Sequence, residues 1–256
     1  MKKVLIAGNS HAAWLYRYLQ ANPGSLEPTV KLYWYIIPGG LGPNLVVENG
    51  KLVLTAGVYA NFSPYAAPAE TPELPISQFD AFVISALGYV DGGFRYNNPI
   101  VTTGVLAEYE PIVPAGILKP MLSDTCYRAV VAGALESQEG FRFLRSLRAA
   151  TDRPIVVQPY PYLSDEILER PDWKLASHYK DIEGANLFFA QSKDAALAAA
   201  CSRSRATLLD YPDPTWRKRG LTPRSLMQNV SEDMVHASAE YAALVANQLK
   251  EWVAKL

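Results

Sequence analysis

A doubly wound α/β domain built on one parallel sheet is the fold this chain predicts, from three observations. Short apolar strands alternate with segments of helical periodicity from one end of the 256 residues to the other. The strands are apolar at consecutive positions, as in Val4-Leu5-Ile6-Ala7, rather than at every second one. Glycine, proline or a small polar residue closes nearly every strand. Continuously apolar strands belong to sheets covered on both faces, and a strand-helix-strand order makes parallel crossovers.

The elements follow in order. Residues 2–7 predict the first strand, and 11–20 carries Trp14, Leu15, Tyr18 and Leu19 at the spacing of a helix face. Residues 30–37 predict a second strand, ended by the turn Pro38-Gly39-Gly40-Leu41-Gly42-Pro43. Residues 45–48 and 51–54 flank Asn49-Gly50, a pair that tolerates the positive φ of a type I′ turn, which predicts an inserted β-hairpin. Four prolines, Pro64, Pro68, Pro72 and Pro75, predict an irregular loop over 61–78, so hairpin and loop make one insertion at about 44–78. Residues 79–86 predict a buried strand that ends before Gly88, and the Gly-, Pro- and Asn-rich stretch from there to Pro120 predicts a second long loop. Ser123 is placed to cap a helix running through Val130, Val131 and Leu135; Phe141, Leu144 and Leu147 mark the next helix, before a strand at 154–158. Residues 182–201 predict a helix and 206–209 a short strand. A terminal helix over 237–256 presents Tyr241, Leu244, Val245, Leu249, Trp252, Val253 and Leu256 on one side.

This order predicts a flavodoxin-like arrangement, in which ligands bind beyond the carboxyl ends of the strands. Ser10, Gly39, Gly40, Gly88 and the Gln158-Pro159-Tyr160 turn all follow strands and should gather at that edge.

Composition narrows the class. With 49% hydrophobic and 19% charged residues, the chain is long enough to bury a full core as one domain spanning 1–256. Its 24 basic and 25 acidic residues create no global field for nucleic acid or an anionic membrane, which points to small or neutral partners. Cys126 and Cys201 sit in apolar helical patterns without metal-site spacing and read as buried thiols. The first apolar run stops after five residues, short of a signal-peptide core of roughly seven to fifteen, and no run approaches the ~18 apolar residues of a membrane helix. A cytoplasmic location is therefore the expectation.

The chemistry-bearing residues lie at opposite ends. Ser10 follows the first strand at the predicted start of a helix, where unpaired N–H groups and the helix dipole favour negative charge. A serine hydroxyl becomes a useful nucleophile when a histidine takes its proton and a carboxylate orients that histidine. The chain holds three histidines, His11, His178 and His236, and His236 stands three residues after Asp233. His11 adjoins Ser10, but neighbours on a helix point about 100° apart, so His11 is expected to line the pocket or bond locally. No phosphate-binding loop pattern and no G-x-G-x-x-G follows the first strand, which argues against a nucleotide site. Tyr59, Tyr65, Tyr89, Phe94 and Tyr96 are candidate sugar-stacking aromatics in the long loops. His178 and the Trp216-Arg217-Lys218-Arg219 cluster read as packing and solvated surface.

Gly8-Asn9-Ser10-His11-Ala12 together with Asp233-Met234-Val235-His236 resembles the SGNH (GDSL-type) hydrolase superfamily, in its variants with Gly-Asp-Ser-His-Ala. The resemblance implies a serine esterase or acyl transferase acting on a short-chain acyl ester, such as an O-acetylated carbohydrate, through an acyl-serine and without cofactor or metal. It implies Ser10 as nucleophile, His236 as general base and then acid, and Asp233 as the orienting carboxylate. The Ser10 N–H, Gly39 or Gly40, and Gly88 would surround the oxyanion, with Asn9, His11 and Tyr89 near the substrate. The chain departs from the family pattern at Gly88-Tyr89-Val90-Asp91, where Val90 occupies the place of the oxyanion-hole asparagine. Loss of such a donor typically costs roughly 10²–10³ in turnover. Asn44, Asn97 and Asn98 are possible replacements, and a catalytically weak saccharide-binding protein is the alternative reading.

Overall fold

The computed structural model describes residues 1–26, 30–37, 41, 44–55, 73–88, 101–102, 121–170, 183–213, 215–228 and 236–256. Strand β1 (Lys2–Gly8) leads into helix α1 (Ser10–Ala21), followed by β2 (Val30–Ile36), the short strands β3 (Leu45–Glu48), β4 (Lys51–Leu54) and β5 (Glu73–Pro75), and β6 (Ala81–Leu87). After the two-residue strands β7 (Val101–Thr102) and β8 (Met121–Leu122) come α2 (Asp124–Glu136), α3 (Glu139–Ala150), β9 (Ile155–Pro159), α4 (Glu183–Arg203) and β10 (Thr207–Leu208). A single-turn helix α5 (Trp216–Arg219) and the closing helix α6 (Ala239–Val253) complete the described chain.

Five strands make the central sheet in the order β10-β9-β6-β1-β2, and every pairing in it is parallel. Counted along the chain, these five strands stand 2-1-3-4-5 across the sheet. The direction of winding therefore reverses between β1 and β6, and a crevice opens at their carboxyl ends. The expected doubly wound parallel sheet is what the chain forms, with β3, β4 and β5 as a separate antiparallel sheet.

Unbroken apolar strands have the physical origin inferred for them. Leu5, Ala7, Phe82, Ile84, Ile155 and Val157 point to one face and pack with Val131, Leu135, Phe141, Leu144, Leu147 and Leu197 of α2, α3 and α4. Their sequence neighbours Val4, Ile6, Val83 and Val156 point to the other face, against Ala12, Leu15, Val245 and Leu249 of α1 and α6. Both faces are dry, so each strand position gains from burial, about 1.5–3 kcal/mol for a large apolar side chain.

Asn49 and Gly50 adopt the positive φ values of 48° and 72° that their hairpin requires. Three expectations need correction. Residues 73–75 are not irregular: they form β5, paired antiparallel with β4 in the register Lys51↔Pro75, Leu52↔Leu74 and Val53↔Glu73. Pro75 is accommodated because β5 is an edge strand, where a missing N–H costs no ladder bond. Cys126 is exposed rather than buried, because Tyr127, Val131 and Leu135 define the inward face of α2 and Cys126 is turned away from it. Leu244 on α6 is likewise 37% exposed, beside a buried stripe of Tyr241, Ala242, Val245, Ala246 and Leu249.

Candidate active site

The head of the site is built by close approach. A Cβ on Gly8 would lie 2.6 Å from Ala12 Cβ and 2.9 Å from Ser85 Cβ, so only glycine lets α1 start hard against the ends of β1 and β6. Asn9 then caps α1, its Oδ1 accepting the His11 N–H at 3.0 Å, while its carbonyl accepts the Ala12 N–H at 3.0 Å. The same side chain turns its Nδ2 toward the Ala86 carbonyl, 3.5 Å away on the neighbouring strand. Ser10 follows as the first residue of α1, half-buried. Among the described residues nothing accepts its backbone N–H, one of the unsatisfied donors of a helix start.

The tail of the site is held differently. Met227 and Ala237 form an isolated antiparallel bridge, flanked by Gln228 N–H to the His236 carbonyl and Ser238 N–H to the Leu226 carbonyl, each 2.9 Å. Ser238 caps α6 by accepting the Tyr241 N–H at 3.4 Å. These contacts leave His236 half-buried just ahead of α6, with its Nε2 2.8 Å from Ser10 Oγ across 226 residues of sequence. That distance is an ordinary hydrogen bond between a hydroxyl and an imidazole nitrogen.

His11 lies beneath this pair. It is buried, its ring stacked on His236 at 5.0 Å between centroids and 27° between planes, and the edge of Tyr160 meets it at 4.2 Å. Beside His11 a small cavity of about 10 Å³ is lined by His11, Trp14, Gln158, Ala237, Tyr241 and Val245. It has room for about one water, so the seam between α1 and α6 closes the back of the site.

Beside the histidines, β6 and β9 carry a polar clasp. Ser85 Oγ donates to Gln158 Oε1 at 2.8 Å, the Ala86 N–H donates to the same oxygen at 3.1 Å, and Gln158 Nε2 donates to the Pro159 carbonyl. The side chain takes over where the β6–β9 register shifts between Ser85 and Leu87. Ala86 has a φ of +61°, uncommon for a residue with a Cβ, and the bonds from Gln158 and Asn9 on either side hold it there. Gly88 has a φ of +86°, and a Cβ there would meet Leu197 of α4 at 3.3 Å. Gln158, Ser85 and Ala86 are supports that residue-by-residue reading did not assign. The one sequence signal was a buried amide and a buried hydroxyl inside otherwise apolar strands.

The structure thus brings together Asn9, Ser10, His11 and His236, and sets Gly88 at the end of β6 in the same edge of the sheet. Asp233, Gly39, Gly40, Tyr89 and Val90 lie outside the described residues, as do His178, Asn97, Asn98 and the aromatics Tyr59, Tyr65, Phe94 and Tyr96. Asn44 accepts the Thr55 N–H through its carbonyl, closing the inserted hairpin. In the basic cluster Trp216 is buried and Arg219 reaches Asp165 at 3.4 Å.

Burial pushes the phenols of Tyr211 and Tyr241 well above their ordinary range and the Cys201 thiol up to about 12, so all three are neutral structural groups near neutral pH. No cluster of three or more metal-capable side chains occurs among the described residues, and no helix there is long and apolar enough to cross a membrane.

No protein-family model matches the chain, and no curated protein matches its sequence. Among solved structures the chain is similar to an arylesterase candidate from Agrobacterium tumefaciens str. C58, at 14% identity and a TM-score of 0.44, covering 100% of this chain and 99% of that one. It is also similar to a carbohydrate acetylesterase family member from Sinorhizobium meliloti, at 14% identity and a TM-score of 0.40, covering 100% and 98%. At such distances the likeness carries no inference about chemistry, which has to come from the side chains themselves.

Proposed function

We propose that this protein is a serine esterase or acyl transferase acting on short-chain acyl esters, with O-acetylated carbohydrate as the substrate class. The observation that carries the reading is the 2.8 Å contact between His236 Nε2 and Ser10 Oγ at the carboxyl edge of the sheet. In support stand the position of Ser10 at a helix start beside the β1/β6 reversal and the resemblance of both motifs to SGNH hydrolases.

The proposed chemistry runs in two halves. His236 Nε2 takes the Ser10 proton as Oγ attacks the ester carbonyl, and the charge that develops on the carbonyl oxygen is met by the Ser10 N–H and the positive end of α1. Collapse expels the alcohol, protonated by His236, and leaves an acyl group on Ser10. Water or a second alcohol, deprotonated by His236, then takes the acyl group and restores the hydroxyl. Asp233, three residues before His236, is the proposed orienting carboxylate. His11, stacked on the imidazole, is a positioning residue that limits its rotation. The reaction needs no cofactor.

Labelling with a fluorophosphonate probe tests the reading. The parent chain should be modified at Ser10, and Ser10→Ala and His236→Ala should both lose the label. A parent chain that takes no label, while binding an acetylated oligosaccharide, would instead establish the saccharide-binding alternative that Val90 suggests.

A further inference from the structure

A second concave site lies along the outer side of α3. A cleft of about 330 Å³ is lined by Glu136 at the end of α2, by Phe141, Arg145 and Arg148 on α3, and by Arg203 and Arg205 at the end of α4. Its arginines cluster where α3 and α4 turn into the amino ends of β9 and β10, and Ser10 follows the carboxyl end of β1 in the same parallel sheet. The two sites therefore sit at opposite edges.

Charge in the cleft is not balanced. Arg203 pairs with the Glu136 carboxylate, and Arg205 pairs with Asp152 at 3.0 Å. Among the described residues, the other two guanidinium groups bond neutral acceptors. Arg148 donates to the carbonyls of Ser204, Thr151 and Arg205 at 2.9, 2.9 and 3.0 Å, and Arg145 reaches the Glu136 carbonyl at 3.4 Å. Three carbonyls fix the Arg148 fork in place and leave two of its five N–H groups for something else. Arg205 beside it has a φ of +46°, a left-handed backbone that a β-substituted residue adopts at a cost. Burial, and after it the proximity of Arg205, lowers the Arg148 pKa, while the Asp152 carboxylate works the other way.

We propose that this cleft binds a small phosphorylated molecule, with the phosphate dianion held between Arg145 and Arg148. Two guanidinium groups that form no ion pair among the described residues match the two negative charges of a phosphomonoester, and planar guanidinium forks suit its oxygens. The volume stands at the lower end of small-molecule sites, with room for a sugar-sized body beyond the phosphate. A polymer is disfavoured because the chain as a whole carries a net charge of −1, so the positive potential is confined to the cleft.

Isothermal titration with inorganic phosphate and with glucose 6-phosphate tests this on the full chain. One equivalent of either should bind, glucose itself should not, and Arg145→Gln should weaken binding about tenfold or more. Arg145 and Arg203 are exposed, so the double variant Arg145→Gln/Arg203→Gln should keep the parent's melting temperature while losing the site. Ser10→Ala should bind phosphate as the parent does, which separates this site from the esterase reading. No heat from either phosphate at millimolar concentration, unchanged affinity in both arginine variants, or loss of binding in Ser10→Ala would overturn the proposal.

Discussion

The two residues that meet at 2.8 Å are held by different means. Ser10 follows a strand paired on both sides and buried throughout its middle: β1 is flanked by β2 and β6, its residues 4–7 are at most 1% exposed, and Gly8 brings backbone and helix into direct contact. His236 belongs to no helix or strand, and among the described residues a two-residue bridge, two backbone bonds and a stacked ring hold it toward Ser10. The nucleophile is thus positioned by steric exclusion, and the base by a handful of directional contacts. Errors at the head should damage fold and activity together. Errors at the tail should damage activity first.

The largest effect breaks both halves of the comparison at once. Ser10→Ala and His236→Ala should each lower hydrolysis of 4-nitrophenyl acetate by about 10⁴-fold or more, with unchanged circular dichroism, and the double variant should be no worse than either single one. Retention of parent-like turnover by Ser10→Ala would remove the head from the chemistry.

Gly8→Val sharpens the steric side. With its Cβ forced against Ala12 and Ser85, it should cost about 1–3 kcal/mol in denaturant unfolding and reduce fluorophosphonate labelling in parallel. A variant as stable as the parent would mean that α1 can shift without harm. The smallest effects compare the two helix caps. Asn9→Ala should cost about 1 kcal/mol, and Ser238→Ala about the low end of the same range, since its bond to the Tyr241 N–H is the longer at 3.4 Å. Asn9→Asp keeps the capping acceptor and loses only the donor facing Ala86, so it should fall between Asn9→Ala and the parent.

What could be read from the residues follows from locality. Strand and helix order, the Asn49-Gly50 turn and the cap at Ser123 each depend on a few adjacent side chains, and the structure contains all of them. The meeting of Ser10 with His236 was legible for a different reason: a serine after the first strand and a histidine three residues after an aspartate, just ahead of the last helix, are chemical partners before any geometry is known. The strand β5 was hidden by Pro75, a strand breaker everywhere except at an edge. Exposure of Cys126 turned on the phase of α2 by a single residue. The clasp of Ser85, Ala86 and Gln158 depends on a register shift between strands about 70 residues apart, for which no local pattern exists. The arginine cleft was invisible for a similar reason, since Arg145 and Arg148 come from one stretch of chain and Arg203 and Arg205 from another far along it, and the two meet only where Arg148 bonds the Ser204 and Arg205 carbonyls.

Ala86 has a use for anyone wishing to retune this molecule. It is tension written into a main chain at the mouth of the crevice, kept taut by the amide that caps α1 and the amide of Gln158 on β9. Exchanging it for glycine would slacken that cord without removing a single polar partner, a cleaner dial on crevice width than any change to the groups lining it.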